Sequence, residues 1–193
     1  MSKNRTTIDP MDHRSDLELI EEFRNGNDTA FNQLVLRYQE KIYWVVRRLL
    51  PDHDEADDVV QDIFVKVYRS LNSFKGDSSF YTWLYRIAMN LSLNEIRRKK
   101  TRRTFSLDEN VVQHESKDPL PLEMMEREER TQLIKDAIER LPEKQKKVFV
   151  LRYYEELPYE EISKILKTSV GGLKANYFHA VKKIGEYVKH GLR

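Results

Sequence analysis

Five carboxylates crowd one short stretch of the chain: Asp54, Glu55, Asp57, Asp58 and Asp62. Carboxylates are ligands for hard cations, and Asp58 and Asp62, four residues apart, share one face of a helix. No histidine or glycine-turned loop completes a cage around them, and nowhere does a catalytic triad or a phosphate-cradling glycine loop occur. With no cysteine, the chain carries neither a disulfide nor a thiolate metal site. No metal, cofactor or catalytic residue is therefore expected. The chemistry that remains is recognition, and an acidic helix face is suited to docking on a basic partner surface. Plainer uses of the same acids are solvation and a favourable interaction with the dipole at a helix start.

The opposite charge is gathered between Ser78 and Arg103, in SSFYTWLYRIAMNLSLNEIRRKKTRR. Phe80, Trp83, Leu84, Ile87, Ala88 and Leu91 recur at steps of three and four, which predicts one buried stripe of an α-helix. The rest of the circumference is expected to carry Tyr81, Tyr85, Arg86, Asn90, Asn94, Arg97 and Arg98. Glu95 is the only acid here among seven lysines and arginines. Cations suit phosphates, and aromatic rings and amides suit bases, so this face is suited to nucleic acid. The loop before it, LNSFKGDSS, has Gly76 for a sharp turn and Asp77, Ser78 or Ser79 as caps. Phe74 in that polar loop, beside the basic face, makes a pocket for one unstacked base. Stacking contributes roughly 1 to 3 kcal/mol per base against about 1.4 kcal/mol for each duplex step lost. One or two captured bases would offset a local opening but not a long bubble.

Towards the C-terminus, LPYEEISKILKTSVGGLKANYFHAVKKIGEYV has a helix-turn-helix layout: Tyr159 to Leu166, a tight connection through Lys167 to Val170, and a second helix from Gly171. Its inward stripe is expected to be Leu173, Tyr177, Val181, Ile184 and Val188. Lys174, Phe178, His179, Lys182 and Lys183 then face outward. An exposed Phe between cations suits a thymine methyl in the major groove, with Lys and His at base edges or phosphates.

The elements that must position these groups are helical. The chain of 193 residues has only six Gly and six Pro, and its apolar residues keep helical spacing with no strand alternation. Ser15 with Glu18 forms a capping box ahead of a short first helix stopped at Gly26. Asn27 or Asp28 caps a longer one ending at Pro51. The acidic helix is expected to turn Val60, Ile63, Phe64, Val67 and Leu71 inward. From Thr104 to about Glu123 periodicity fails among acids and prolines, predicting a flexible acidic linker. This gives an all-α protein of two small helical domains: a flexible N-terminus over 1–14, a first domain over 15–103, the linker over 104–123 and a second domain over 124–193. A charged fraction of 34% beside a net charge of only +2 places any nucleic-acid affinity in local segregation of charge. No apolar run approaches a signal peptide or membrane span, so no direct membrane insertion and a cytoplasmic location are expected.

In this order, EADDVVQDIFVKVY, FKGDSSFYTWLYRIAMNLSLNEIRR and LPYEEISKILKTSVGGLKANYFHAVKKI resemble segments of the extracytoplasmic-function (ECF, group IV) sigma factors of the sigma-70 family. The resemblance covers nearly the whole chain. It implies a region 2-like bundle and a region 4-like helix-turn-helix domain in a promoter-specificity subunit that serves a stress- or signal-responsive set of genes. It implies that Asp58, Gln61, Asp62 and Phe64 dock on the clamp helices of the largest RNA polymerase subunit, with the polymerase flap as a further contact. It places a flipped non-template base of the minus-ten element in the loop formed by Ser73, Phe74, Lys75, Gly76, Asp77 and Ser78, with Tyr85, Arg86, Asn90, Asn94 and Arg97 alongside. Lys174, Ala175, Phe178, His179 and Lys182 fall where the family reads the minus-thirty-five element. The linker would thread towards the active-site and RNA-exit channel, and an anti-sigma factor is an implied partner. Lys167 stands where the family often has a turn glycine, and Ala175 and His179 replace its common polar or arginine side chains. Two other readings remain open: a dimeric helix-turn-helix regulator, and a metal-dependent nuclease using the carboxylate cluster.

Overall fold

The computed structural model describes residues 13–105 and 122–191, all of whose regular elements are helices. The chain divides into two compact units that meet at Asn94 and Glu95.

In the first unit side-chain caps set the helix boundaries, those at Ser15, Asn27 and Ser79 as expected from sequence and that at Asp52 as an addition. Ser15 Oγ accepts from the Glu18 amide at 3.3 Å, while Glu18 Oε2 accepts from the Ser15 amide at 2.6 Å, and α1 follows over Asp16–Arg24. Gly26 turns the chain at a φ of 91° that favours glycine. Asn27 Oδ1 accepts from the Thr29 amide at 3.2 Å and opens α2, Asp28–Leu49. Asp52 does the same for the Glu55 amide at 3.0 Å and opens α3, His53–Ser70. A single 3-10 turn over Leu71–Ser73 leads into the loop, and Ser79 Oγ accepts from the Thr82 amide at 3.2 Å as α4 begins, Phe80–Phe105. Leu19, Ile20, Leu34, Ile42, Val46, Ile63, Val67, Leu84 and Ala88 are buried in this unit. Burial of each Leu, Ile or Val among them contributes roughly 1.5 to 3 kcal/mol before chain entropy is subtracted.

Asp16 fastens α1 to α2, accepting from Arg37 at 2.6 Å and from the Tyr38 hydroxyl at 2.5 Å. Burial, then the bond to Asp16, pushes the Tyr38 phenol well above its ordinary value. Phe23, Phe31 and Tyr68, from α1, α2 and α3, meet edge-on or tilted with ring centroids 5.1 to 5.8 Å apart.

The second unit is built on one helix. α5 (Leu122–Glu139), α6 (Glu143–Phe149) and α7 (Tyr159–Leu166) all pack on α8 (Val170–Gly191). Ile138, Leu141, Phe149 and Ala180 form a buried cluster, flanked by Tyr154, Tyr177 and Ile184. After α6 the chain widens into a π-turn over Val150–Tyr154, closed by Glu155 N–H to the Val150 carbonyl at 3.3 Å. This brings Tyr153 and Tyr154 together against Phe149, with centroids 5.0 and 5.9 Å from it. α7 ends at Lys167, whose φ of 51° is left-handed. The turn is closed by Ser163 Oγ donating to the Thr168 carbonyl at 2.7 Å and by Ser169 Oγ accepting from the Gly172 amide at 3.3 Å.

Several expectations need correction. Arg14, assigned to a flexible N-terminus, is fixed: its guanidinium donates to Glu22 and its carbonyl accepts from Arg37 at 2.7 Å. The inner stripe of α4 is rotated: Tyr85, Met89 and Leu93 are buried, while Trp83, Ile87 and Leu91 are half-buried. Tyr85 lies 4.2 Å from Tyr81 by ring centroids, and its large apolar ring outweighs its one hydroxyl. In α3 the inner stripe is Ala56, Val59, Ile63 and Val67, with Val60 and Phe64 half-buried. Val181, placed inward from sequence, is 46% exposed, and Ala180 takes its place. The linker expected over 104–123 is narrowed by helix at both ends, since α4 runs to Phe105 and α5 starts at Leu122; its acidic and proline-rich middle lies outside the described residues.

Candidate nucleic-acid and polymerase interfaces

The loop between Ser73 and Ser79 is anchored at its start and open at its tip. The Phe74 ring is only 5% exposed, packed 5.2 Å from Trp83 and 6.1 Å from Phe80 by centroids. This corrects the expectation of a ring offered to a base: Phe74 is the loop's anchor. Ser73, Lys75, Gly76 and Asp77 are exposed and Ser78 is half-buried. Gly76 has a φ of 78° with nothing within 4 Å of where a Cβ would stand, so the constraint there is backbone conformation rather than space.

Along α4, Asn90 and Asn94 are exposed and Arg86 is half-buried. Asn90 lies one turn beyond Arg86, and Asn94 one turn beyond that, so the amides line up with the cation on one face. Tyr85 is buried and therefore supports this face from beneath instead of presenting a ring. Trp83, half-buried beside Phe74, is the aromatic that the sequence placed inward and the structure leaves at the surface edge. Arg97 lies past Asn94, in the second unit, where its guanidinium donates to Glu143 of that unit at 3.1 and 2.7 Å.

On α3, Asp58, Gln61 and Asp62 are exposed and Phe64 is half-buried. Val65, at 46% exposure, adds an apolar patch to this acidic face. Among the described residues, no group of three or more His, Asp or Glu is placed to hold a metal ion. No helix of the described residues is long and apolar enough to cross a membrane.

On α8, Lys174, Ala175, Phe178, His179 and Lys182 are all exposed, with Phe178 at 64%. Val181, one turn on from Phe178 and beside Lys182, is exposed as well. Leu173, Tyr177, Ala180 and Ile184 hold the opposite side in the core, and that packing fixes which residues face out. Tyr159, at the start of α7, sits 5.8 Å from Lys174 Nζ and 5.3 Å from the Arg152 guanidinium, measured to the ring centroid. Two cations over one ring keep positive charge close to the helix-turn-helix entrance.

An acidic helix, a loop set against a basic amide-bearing helix, and a helix-turn-helix unit follow one another along the chain. Sigma-70 region 2 matches residues 34–102 and Sigma-70 region 4 matches residues 131–184. The ECF RNA polymerase sigma-E factor of Escherichia coli is 38% identical over 187 residues, covering 93% of this chain and 97% of the relative. The RNA polymerase sigma-H factor of Pseudomonas aeruginosa is 37% identical over 185 residues, covering 92% and 96%. The chain belongs to the ECF sigma factors. Its fold is shared with CnrH, solved in complex with the cytosolic domain of CnrY, at a TM-score of 0.67 and 24% identity, covering 91% of this chain and 97% of that one. It is shared likewise with the sigma factor RpoE of Bartonella quintana, solved with the anti-sigma factor NepR, at 0.63 and 24%, covering 82% and 96%.

Proposed function

We propose that this sigma factor divides promoter recognition between its two units: one holds a separated strand and the other reads intact duplex. The promoter-melting domain is built on α1 to α4 and the upstream-reading domain on α5 to α8. The exposed loop residues Ser73, Lys75, Gly76, Asp77 and Ser78 receive a flipped base of the minus-ten element, with Arg86, Asn90 and Asn94 on its neighbours and the strand backbone. The exposed face of α8 enters the major groove at the minus-thirty-five element, with Phe178 against a thymine methyl and Lys174, His179 and Lys182 at base edges or phosphates. Asp58, Gln61, Asp62 and Phe64 dock on the polymerase clamp helices.

The chain performs no chemistry of its own; RNA synthesis belongs to the polymerase. It works in the cytoplasm and is held inactive there by an anti-sigma factor, a reading supported by the RpoE structure solved with the anti-sigma factor NepR. The observation that carries the proposal is Phe178, a large apolar ring standing 64% exposed among cations on the outer face of a helix-turn-helix. What distinguishes Phe178 is its company: with Lys174, His179 and Lys182 on one face, it suits a groove lined with methyl groups and phosphates.

The test is run-off transcription by core polymerase with and without the purified chain, with mapping of the start sites. New start sites preceded by a common pair of elements are expected. An unchanged choice of start sites would overturn the proposal, and tight binding to a palindrome without core binding would favour a dimeric regulator.

A further inference from the structure

Arg24 closes α1 two residues before the Gly26 turn. Its guanidinium donates through Nη2 to the backbone carbonyl of Phe74, and through Nη1 to Glu21 within the same helix. The two ends of the Arg24–Phe74 contact are 50 positions apart in sequence. Phe74 is the first residue of the open loop, and its ring is already held in the aromatic nest of Phe80 and Trp83. The loop is thus gripped at its origin twice: the side chain by rings beneath it, and the peptide by a cation reaching across from α1. Beyond that point Lys75, Gly76 and Asp77 are exposed.

The Phe74 peptide is the point at which the exposed loop leaves its anchored start. A carbonyl bonded to a guanidinium is held more firmly than one bonded to water, because a charge-assisted hydrogen bond is about twice as strong as a neutral one. α1 is itself a stiff support, with its capping box at one end and Asp16 fastened to Arg37 and Tyr38. It also lies outside the residues matched as region 2, which begin at residue 34.

We propose that Arg24 is a positioning residue for the base-capturing loop, which makes α1 part of the apparatus that discriminates the captured base. The proposal rests on the reading of that loop given above. Arg24 touches no DNA. By fixing the Phe74 carbonyl it holds the exposed tip in one conformation, so that the correct base is met by a preorganised pocket and the wrong base is not accommodated by loop movement.

The experiment uses the full chain assembled with core polymerase and four promoters that differ only in the captured base. Open-complex formation is measured as the ratio of the best base to the other three, together with affinity for core and thermal melting of the free chain. Arg24→Met keeps the aliphatic stem and removes the donors. It is expected to lower the ratio about tenfold, the scale of one charge-assisted hydrogen bond, with core affinity unchanged. Arg24→Lys retains a donor and is expected to recover most of the ratio. An equal loss on all four promoters, or no loss, overturns the proposal. Should the methionine variant fail to fold, Arg24→Gln, with a neutral donor, is expected to fall between the other two, and a wild-type ratio in it overturns the proposal. Asp77→Ala separates the two levels: if it alters the ratio and the Arg24 variants do not, the positioning role fails while the loop reading stands. If the wild type shows no base preference and Asp77→Ala changes nothing, the loop reading fails and takes the proposal with it.

Discussion

The Tyr38 hydroxyl donates to Asp16 at 2.5 Å, joining the first turn of α1 to the middle of α2. Because Arg37 donates to the same carboxylate at 2.6 Å, one acid holds two consecutive residues of the partner helix. Tyr38→Phe removes one of these bonds and keeps the ring's packing against Phe80, 5.5 Å away by centroids. The first unit should lose roughly 1.5 to 3 kcal/mol, the range for a hydrogen bond to a charged group, measured by urea unfolding.

The same phenol predicts a pH dependence. Its ionisation is shifted above the ordinary value near 10 in the folded chain, by burial first and by Asp16 second. Above about pH 10 the unfolded chain therefore releases this proton while the folded chain retains it. Stability from this group is fully present below pH 10 and falls as the pH rises further. Unfolding midpoints followed up the alkaline range should drop less steeply in Tyr38→Phe than in the wild type.

Lys167 adopts a φ of 51° at the end of α7, a conformation that costs a residue with a Cβ about 1 kcal/mol and glycine very little. Lys167→Gly should raise the stability of the second unit by about that amount. Gly185 sits within α8 with nothing within 4 Å of its absent Cβ, so Gly185→Ala should add about 1 kcal/mol more through helix propensity. The two sites lie on different elements, and their effects should sum in a double variant followed by thermal melting.

Phe178→Ala should leave melting of the chain nearly unchanged, since the ring is exposed, and weaken transcription roughly tenfold, within the range for losing one base-pair contact. Scrambling the upstream element should then cause little further loss. Wild-type dependence on that element, persisting undiminished in the variant, would remove Phe178 from the reading face.

Asp58→Lys combined with Asp62→Lys reverses charge at two exposed positions of α3. Affinity for core polymerase should fall at least tenfold, and thermal melting should move by less than about 0.5 kcal/mol. A helix that melts instead would mean that these acids serve the fold.

The caps at Ser15 and Asn27 and the helix-turn-helix were legible because each depends on neighbours in sequence. Ser15 with Glu18 and Asn27 both act within three residues. The rotation of α4 was not legible. Periodicity ranks Tyr85 with polar residues and Trp83 with apolar ones, whereas burial is decided by rings from elsewhere in the fold: Tyr38 meets Phe80 and Tyr81, and Phe74 meets Trp83. Phe74 shows the same limit. A phenylalanine in a polar loop can be a contact or an anchor, and only the placement of Phe80 and Trp83 separates the two. In α8, Val181 and Ala180 are adjacent, and a one-residue choice of stripe turns on the small room left beside Phe149 and Ile138. Arg24 carried no local signal, because its partner is a carbonyl, which every residue possesses.

The widened turn at Val150–Tyr154 sets a bearing. A regular helix advances each residue by about 100°, and one residue more or fewer in that turn would swing everything after it by the same angle about the axis of α6. α7 and the entry to α8 would then leave in another direction with every side chain intact. Single-residue length changes between Phe149 and Pro158 should therefore act as a steering error, more damaging than any substitution at the same place.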